Sequence, residues 1–437
     1  MRALVCRGAL FKGVWGFGIA PLAALSLGCR EVPRESPVGD AGPTPSGVPA
    51  VSASGAEPAP GDGGLAGGGP LGDAQPSRDA GTERDPSRVV LLFGGDINLG
   101  RGTGQRILRD PEYAPLRFLK PVFDSADLRV MNLESQLSDQ GGETQSKHNS
   151  LVFTGPPGGA EVLKAAGVEW VSLANNHAWD YGKSALFETF TNLERAGVGY
   201  VGASREPGSQ AYEPARTVVR GLPIALFSVT HIWNQGPINE HPGRLHVAWA
   251  EFSKLAPRIA AAKARGELVI LLYHGGAEYV DAPMTWTRDF VRASMKAGVD
   301  AFIGHHPHVP QGVGFAGTRP VFYSLGNLVF PMHKDHPATG TGFLARLSYQ
   351  LTGGAPELAS VEACPYFILG HVPKPFDDAA APARYAALRQ RLNLTSRAVG
   401  GSVVGEPGED GCLPLSPPER SGPGAPLGWT APRRAAP

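Results

Sequence analysis

The sequence predicts a layered α/β domain with mixed β-structure, flanked by two segments that have little capacity to fold. Continuous apolar runs of strand length alternate with helical patterns through the middle of the 437-residue chain. That alternation is typical of buried, largely parallel strands. Two later apolar runs, at residues 343–351 and 360–369, have no helix between them. They indicate an added antiparallel portion, so that the domain contains either one mixed sheet or two packed sheets.

The chain opens with a basic segment followed by an apolar one. Arg2, Arg7 and Lys12 precede a mostly apolar run at residues 13–28, which is short for a membrane span. The run ends in Leu-Ser-Leu-Gly before Cys29, which favours a lipoprotein signal over residues 1–29 with Cys29 as the lipidated residue. An ordinary secretion signal and an uncleaved anchor are the alternatives. Each of the three predicts an extracytoplasmic protein, either membrane-anchored or secreted.

Residues 30–87 contain mainly Pro, Gly, Ala, Ser and Asp and almost no large apolar side chains. Such a segment buries too little surface to offset its chain entropy, so it is predicted to be a disordered tether. The folded domain is expected at residues 88–375. The remaining segment, 376–437, is expected to form a helix at 382–392 and a disordered Gly/Pro-rich tail from residue 400.

Within the domain, apolar runs and helical periodicity predict the elements in order. Glycines 167 and 298 each close a helix just before a strand begins. Strands are predicted at residues 88–93, 128–131, 168–173, 224–229, 268–273, 301–303 and 321–323, and helices at 160–166, 184–196, 251–264 and 286–297.

Charge and cysteine content narrow the classes of function. Lys plus Arg and Asp plus Glu are equal at 40 each, which argues against a nucleic-acid partner because such surfaces usually carry a basic excess. The four cysteines lack the close spacing of a zinc site. If Cys6 and Cys29 belong to the signal, Cys364 and Cys412 are free to form a disulfide in an oxidising compartment, provided that the fold brings them together.

Five predicted strands end in polar residues. These are Asp96, Glu134, the stretch Asn175-Asn176-His177 with Asp180, His274, and the cluster His305, His306 and His308. Ligands of open α/β sheets bind at the carboxyl ends of the strands. Three histidines within four residues are the strongest metal signal, because imidazole binds zinc, iron, manganese and nickel. Glycines at 94, 95, 275 and 276 are expected to let the backbone approach a ligand closely. The sequence therefore predicts one metal-supported site.

The polar residues at these strand ends belong to an ordered set of motifs. This set resembles the CapA family, the capsule-synthesis proteins linked to poly-γ-glutamate. The resemblance covers roughly residues 88–375 and rests on Gly95-Asp-Ile-Asn-Leu-Gly-Arg101, Asn132-Leu-Glu134, Leu173-Ala-Asn-Asn-His-Ala-Trp-Asp-Tyr-Gly182, His274-Gly-Gly-Ala-Glu-Tyr279, Gly304-His-His-Pro-His-Val-Pro-Gln311 and Tyr323-Ser-Leu-Gly-Asn327. The family is similar to the calcineurin-like metallophosphatases. The resemblance therefore implies a four-layer α/β/β/α sandwich with mixed sheets and a site for one or two divalent cations, Mn, Fe or Zn.

The resemblance also implies roles for single residues. Asn98 stands where the phosphatases usually carry a histidine, and Glu134 lies near the place of a bridging aspartate. His308 pairs with either His305 or His306. The implied metal ligands are Asp96, Glu134, Asn176, His274, His306 and His308; His177 and Asp180 are the implied catalytic pair, and Arg101, Asn175 and Glu278 are assigned to substrate binding.

Two functions of different classes follow from these patterns. The first is a lipid-anchored metallohydrolase of capsule biosynthesis that acts on a phosphoester or on an anionic γ-glutamyl polymer. The second is a non-catalytic subunit that binds polymer within a complex of capsule-synthesis membrane proteins. The pair of His177 and Asp180 favours the enzyme, because a binding subunit has no need of an oriented histidine.

Overall fold

The structure is a computed structural model that describes residues 85–353, 355–376, 381–403 and 405–417. The predicted signal with Cys29, and residues 30–84 of the predicted tether, lie outside the described residues. No helix within the described ranges is long and apolar enough to cross a membrane.

The described chain contains α-helices and β-strands in the alternation that the sequence predicts. The helices are α1 (Arg101–Arg109), α2 (Lys120–Asp124), α3 (Gly159–Ala165), α4 (Gly182–Ala196), α5 (Phe252–Ala264), α6 (Thr285–Ala297) and α7 (Pro382–Ala398). The strands are β1 (Arg88–Ile97), β2 (Leu128–Leu133), β3 (Gln136–Leu137), β4 (Thr154–Gly155), β5 (Trp170–Ser172), β6 (Gly199–Val201), β7 (Ala215–Val219), β8 (Leu222–Thr230), β9 (Leu268–His274), β10 (Ala301–His305), β11 (Val313–Ala316), β12 (Arg319–Phe322), β13 (Asn327–Val329), β14 (Thr341–Gln350), β15 (Glu357–Leu369), β16 (Val372–Pro375), β17 (Ser402–Val403) and β18 (Leu413–Ser416).

Most strands belong to two mixed sheets. The larger sheet has the order β17-β18-β15-β14-β1-β2-β5-β6, with β13 beside β1 and β16 beside β15. Its β1, β2, β5 and β6 run parallel, whereas β14, β15 and β18 are antiparallel. The smaller sheet has the order β11-β12-β10-β9-β8-β7 and is parallel except at its two edges. The prediction of mixed sheets is confirmed.

The two sheets pack face to face because their strands are apolar on both sides. Alternate residues of β1, such as Leu91 and Phe93, join β9 residues such as Ile270 in the core between the sheets. The intervening Leu92 faces the opposite way, toward α3 and α4 on the outer face of the larger sheet. Leu271 likewise faces α5 and α6 on the outer face of the smaller sheet. The result is the four-layer α/β/β/α sandwich that the family resemblance implies.

The chain after residue 375 departs from the prediction. The last helix runs six residues beyond the expected end at 392. Two further strands extend the larger sheet, since β18 pairs with β15 and β17 pairs with β18. A Cys364–Cys412 disulfide joins β15 to the segment just before β18. The expectation of a disordered tail from residue 400 is therefore wrong for residues 402–403 and 405–417. Local composition predicted disorder, but strand pairing and the disulfide supply the missing stabilisation.

Candidate metal centre

Polar side chains from both sheets converge at the carboxyl ends of their parallel strands. β1, β2 and the loop after β5 bring the larger sheet's residues, and β9 and β10 bring those of the smaller sheet. Two contacts between the sheets fix the relative positions of these residues. The backbone N–H of His306 donates to Asp96 Oδ2 at 3.2 Å, and His274 Nε2 lies 2.7 Å from Asn176 Oδ1. All six residues implied as metal ligands, together with His177, are buried.

Glu134 lies at the centre of this group. Its carboxylate is completely buried, and neither oxygen has a hydrogen-bond partner among the described residues. Its Oε1 lies 3.7 Å from His274 Nε2, 3.7 Å from His308 Nε2 and 3.9 Å from His177 Nε2. A buried carboxylate without hydrogen bonds is costly unless a charged partner compensates it. The surrounding imidazoles leave such a position for a cation.

Asp96 is held by hydrogen bonds rather than left unpaired. Asn132 Nδ2 donates to its Oδ1 at 2.8 Å, and Oδ2 lies 3.5 Å from His308 Nδ1. Asn132 Nδ2 also lies 3.3 Å from His274 Nδ1. Asn132 therefore links a carboxylate of one sheet to a histidine of the other. Sequence reasoning gave it no role, although it precedes Glu134 by two residues and extended backbone places both side chains on the same face.

The structure distinguishes between the neighbouring histidines. His305 lies at the end of β10 and its Nε2 donates to the carbonyl of Gly94 at 3.0 Å, so it joins the two sheets away from the other ligands. His306 forms possible ligand groups with Glu134 and His274 and with Glu278 and His308. His308 Nδ1 donates to Asn327 Oδ1 at 2.8 Å, which leaves its Nε2 facing Glu134. The pair at this site is therefore His306 and His308.

His177 and Asp180 form a hydrogen-bonded pair beside the centre. The Nδ1 of His177 donates to Asp180 Oδ2 at 2.8 Å, and the ring stacks on Phe153 with centroids 4.1 Å apart. Asp180 in turn accepts from the backbone N–H of Phe153 at 3.0 Å and from Gln235 Nε2 at 3.1 Å. These bonds fix the tautomer of His177 and direct its Nε2 toward Glu134.

The loop after β8 supports the site and was not identified from the sequence. Asn234 Oδ1 accepts from Asn176 Nδ2 at 3.3 Å, and Gln235 contacts Asp180. Both residues therefore orient groups that face the centre. The two adjacent amides, which begin four residues after the end of β8, are the only signal that the sequence offers for them.

The three residues assigned to substrate binding have different surroundings. Arg101 places its guanidinium 4.3 Å from the ring centroid of Phe153, and its Nη2 donates to Ser150 O at 3.1 Å. Glu278 is exposed at the mouth and forms a possible ligand group with His306 and His308. Asn175 is buried and uses both ends of its amide within the protein, donating to Leu133 O at 2.8 Å and accepting from the N–H of His177 at 3.1 Å. The amide of Asn175 therefore holds the loop, and its assignment to substrate binding stays a prediction.

Asn98 bonds the backbone of its own turn. Its Oδ1 accepts from the backbone N–H of Gly100 at 2.8 Å, at the turn that leads into α1. Gly95 and Gly304 allow close packing of neighbouring backbone segments. A Cβ on Gly95 would lie 1.9 Å from Gly326 O, and one on Gly304 would lie 2.1 Å from Tyr323 O. Only glycine allows these strands to lie so close to the neighbouring backbone.

Burial and the charges of neighbouring side chains determine which residues of the site carry a proton when no metal is bound. Burial raises the pKa of Glu134 well above its ordinary value. Burial and the neighbouring imidazoles lower the pKa of His274 strongly and that of His306 to about 3. For His308 burial acts in the same direction, but the Glu134 and Asp96 carboxylates outweigh it and raise its pKa to about 9. Asp96 keeps a lowered pKa, because its bonds to His308 and Asn132 and the nearby imidazoles overcome burial. A metal ion held by these side chains would therefore displace a proton.

Backbone strain is concentrated at the centre. Among the described residues, six non-glycine residues have positive φ, and Arg101, Tyr279, His306 and His308 are four of them. Such conformations cost of order 1–3 kcal/mol each and persist where the surrounding structure holds them. His306 and His308, with φ of 95° and 58°, turn the chain sharply enough to present both rings to the same point.

Comparisons with known proteins are consistent with this geometry. The model of the bacterial capsule synthesis protein family PGA_cap matches residues 90–332. The PGA biosynthesis protein CapA of Bacillus subtilis is 29% identical over 261 residues, which cover 59% of this chain and 67% of that protein. The capsule biosynthesis protein CapA of Bacillus anthracis is 27% identical over 325 residues, 72% of this chain and 75% of that protein.

Solved structures are similar at a lower level. The calcineurin-like phosphoesterase YfkN from Bacillus subtilis has 17% identity and a TM-score of 0.41, covering 71% of this chain and 99% of that chain. A putative 5′-nucleotidase from Staphylococcus aureus has 14% identity and a TM-score of 0.41, covering 70% of this chain and 58% of that chain. We draw nothing further from these two likenesses.

Proposed function

This chain belongs to the bacterial capsule synthesis protein family PGA_cap, and from that premise we propose that it acts in capsule or poly-γ-glutamate biosynthesis as a metal-dependent hydrolase. The names of the two CapA relatives support the pathway, since both refer to capsule or PGA biosynthesis. The substrate is a phosphoester or an anionic γ-glutamyl polymer. The chemistry of the site, rather than the fold, supports hydrolysis.

The observation that carries the proposal is the unpaired carboxylate of Glu134. Its two buried oxygens lack hydrogen bonds within the described chain, while three imidazole nitrogens lie within 3.9 Å of Oε1. A site built only for packing would place an apolar side chain or a hydrogen-bond donor there. A mixture of carboxylate and imidazole donors suits Mn, Fe or Zn, and one or two such ions would be held by Asp96, Glu134, His274, His306 and His308. Asn176, whose Oδ1 lies 2.7 Å from His274 Nε2, would add an amide oxygen.

A divalent cation bound there would polarise the scissile group and lower the pKa of a coordinated water. The protein's own groups supply the remaining functions. Asp180 keeps the Nδ1 of His177 protonated, so that Nε2 can carry a proton to or from the reacting group. Phe153 covers one face of the imidazole and holds it in place. Arg101 lies on the same aromatic ring and provides the positive charge that an anionic substrate needs.

We place the protein outside the cytoplasm, with a lipid anchor at Cys29 and membrane proteins of capsule synthesis as partners. The Cys364–Cys412 disulfide supports this location, because disulfides persist in oxidising compartments and are rare in the cytosol. The basic and apolar N-terminal sequence that ends at Cys29 supports the anchor. Radiolabelled palmitate incorporated by the full chain, and lost in a Cys29→Ala variant, is the expected result.

One observation favours a non-catalytic role as the second candidate. Asn98, which stands where the related phosphatases usually carry a histidine, turns its amide oxygen to the N–H of Gly100. This bond removes a potential ligand from the site and reduces the number of donors for a second cation. The chain would then be a polymer-binding subunit that retains a polar cleft.

Metal content and turnover together distinguish the two candidates. The full chain and an Asp96→Ala/His308→Ala variant are purified and their Mn, Fe and Zn measured by elemental mass spectrometry. Both proteins are then assayed on an aryl phosphodiester and on γ-glutamyl polymer. We expect one to two equivalents of metal and measurable turnover in the wild type, both lost in the variant. Metal-free wild-type protein that binds polymer but hydrolyses neither substrate would replace the enzyme with the binding subunit.

A further inference from the structure

Helix α7 lies outside the residues that match the family model, which end at 332, yet it packs on chain that leads from the metal centre. The backbone N–H of Val313 donates to Ser396 Oγ at 2.9 Å. A Cβ on Gly312 would lie 2.3 Å from the carbonyl carbon of Thr395. The helix therefore lies directly against the segment that follows the ligand histidines.

Two loops carry candidate ligands next to this helix. We call residues 306–312, which contain His306 and His308, the histidine loop, and residues 275–284, which contain Glu278, the glutamate loop. The loops are bonded to each other: the N–H of Tyr279 donates to Pro307 O at 2.9 Å, and Gln311 Nε2 donates to Val280 O at 2.7 Å. They therefore form one unit, and a displacement of one loop moves the other.

Arg391 of α7 binds both loops with one guanidinium group. Its Nε donates to the carbonyl of Pro310 in the histidine loop at 3.2 Å, and its Nη2 forms an ion pair with Asp281 in the glutamate loop. Pro310 is two residues after His308, and Asp281 is three residues after Glu278. The planar guanidinium can serve two acceptors in fixed directions, which a lysine cannot do.

The helix has the rigidity that this role requires. Its C-terminal end continues into β17 and β18, which pair with the larger sheet, and the Cys364–Cys412 disulfide fixes the chain just before β18. The side chain of Arg391 is 21% exposed, so its aliphatic part is largely held by packing. Arg391 therefore connects a fixed helix to two loops. The backbone of these loops is strained at Tyr279, His306 and His308.

We propose that Arg391 is a positioning residue of the metal centre, which holds the histidine and glutamate loops at the separation that metal binding requires. This inference rests on the proposed metal centre. Supporting groups outside the ligand set of metal sites change metal affinity by about 10- to 100-fold when removed. Arg391 acts through the loop backbone, so we expect the lower end of that range.

The test compares variants of the full chain titrated with Mn²⁺ alone by isothermal titration calorimetry. Arg391→Ala is expected to weaken binding about tenfold, and Asp281→Asn by less, because it leaves the bond to Pro310 O in place. The double variant is expected to bind no more weakly than Arg391→Ala, since that variant already lacks the contact with Asp281. Arg389→Ala is the matched control. It removes an arginine of the same helix that bonds Glu406 and Gly405 O instead of the two loops, and should leave affinity unchanged.

A second measurement separates this proposal from the metal centre itself. In metal-free protein, Arg391→Ala should speed amide hydrogen exchange in residues 306–312, whereas Arg389→Ala should not. Equal Mn²⁺ affinity in Arg391→Ala and the wild type would overturn the proposal, as would equal losses in both arginine variants. A wild type that binds no metal would instead refute the proposed function, and the exchange rates would still show whether Arg391 holds the loops.

Discussion

Replacement of Glu134 by Gln should separate the stability of the fold from its capacity to bind metal. The two side chains have nearly the same shape, but Gln carries no charge. In the metal-free protein, Glu134 Oε1 lies 3.7 Å from Nε2 of His308, whose pKa is raised to about 9. When both groups are ionised, a charge pair at this distance is worth about 4 kcal/mol at an effective dielectric constant of about 20. The desolvation of a buried carboxylate costs several kcal/mol in the opposite direction.

These two contributions nearly cancel, so the free energy of unfolding of the metal-free variant should lie within about 2 kcal/mol of the wild type. Metal binding should respond very differently, because the variant loses a negatively charged ligand. Removal of groups outside the ligand set already costs up to about 100-fold in metal affinity, so the loss of Glu134 should cost at least that much. A factor of 100 corresponds to about 2.8 kcal/mol.

The assay is urea unfolding of metal-free protein together with calorimetric titration of Mn²⁺. Glu143→Gln is the control, since Glu143 accepts from Tyr181 OH and belongs to none of the possible ligand groups. It should bind Mn²⁺ as the wild type does. A Glu134→Gln variant that binds Mn²⁺ with wild-type affinity would refute our interpretation of the unpaired carboxylate.

Three further predictions follow from the same geometry. Asp180→Asn should lower turnover by about 100-fold or more while metal content stays constant, because an amide no longer fixes the tautomer of His177; unchanged turnover would contradict a proton-transfer role. Mn²⁺ affinity should rise by about tenfold per pH unit between pH 6 and 9, since His308 holds a proton below its pKa of about 9 and must lose it to bind metal; a flat calorimetric profile would contradict this. Reduction of the Cys364–Cys412 disulfide, which closes a loop with a sequence separation of 48, should cost about 4 kcal/mol of unfolding free energy; coincident urea midpoints in oxidised and reduced protein would show otherwise.

The polar residues at the strand ends could be predicted because parallel strands are buried on both faces. Residues of β9 such as Leu271 and Leu272 pack against opposite layers, so the strand is a continuous apolar run. The run stops where the sheet ends, and His274 stands at that point. The same rule identified Asp96 and Glu134. A polar residue that follows a long apolar run therefore indicates the edge of a sheet. Parallel strands bring their carboxyl ends to the same edge.

The direction of individual side chains could not be predicted in the same way. His305 and His306 are neighbours, and which of them faces the centre depends on where β10 ends and on the positive φ of His306. Asn175 and Asn176 pose the same problem, since one amide holds the loop and the other contacts His274. Adjacent residues point in different directions, and the backbone conformation that decides between them is set by tertiary contacts.

Contacts between residues that are far apart in the sequence could not be predicted either. Arg391 lies 110 residues from Asp281, in a segment whose composition gave no sign of a role at the centre. β17 and β18 lie in a Gly/Pro-rich stretch and are two and four residues long. Strands this short have no periodicity to detect. They form because β15 offers an edge to β18, and β18 in turn pairs with β17.

The distribution of the ligands over two sheets ties metal binding to the packing of the whole domain. Asp96, Glu134 and Asn176 lie on or shortly after strands of the larger sheet, whereas His274, His306 and His308 lie on or shortly after strands of the smaller one. A cation held by both groups would add a cross-link between two layers that already associate through apolar contacts and hydrogen bonds, such as that from His305 to Gly94. Ligand that binds only the folded state stabilises it by about 2.7 kcal/mol at 100 times its dissociation constant. Metal should therefore raise the unfolding midpoint of the entire sandwich. This increase should be largest in the wild type, smaller in Arg391→Ala and smallest in Glu134→Gln.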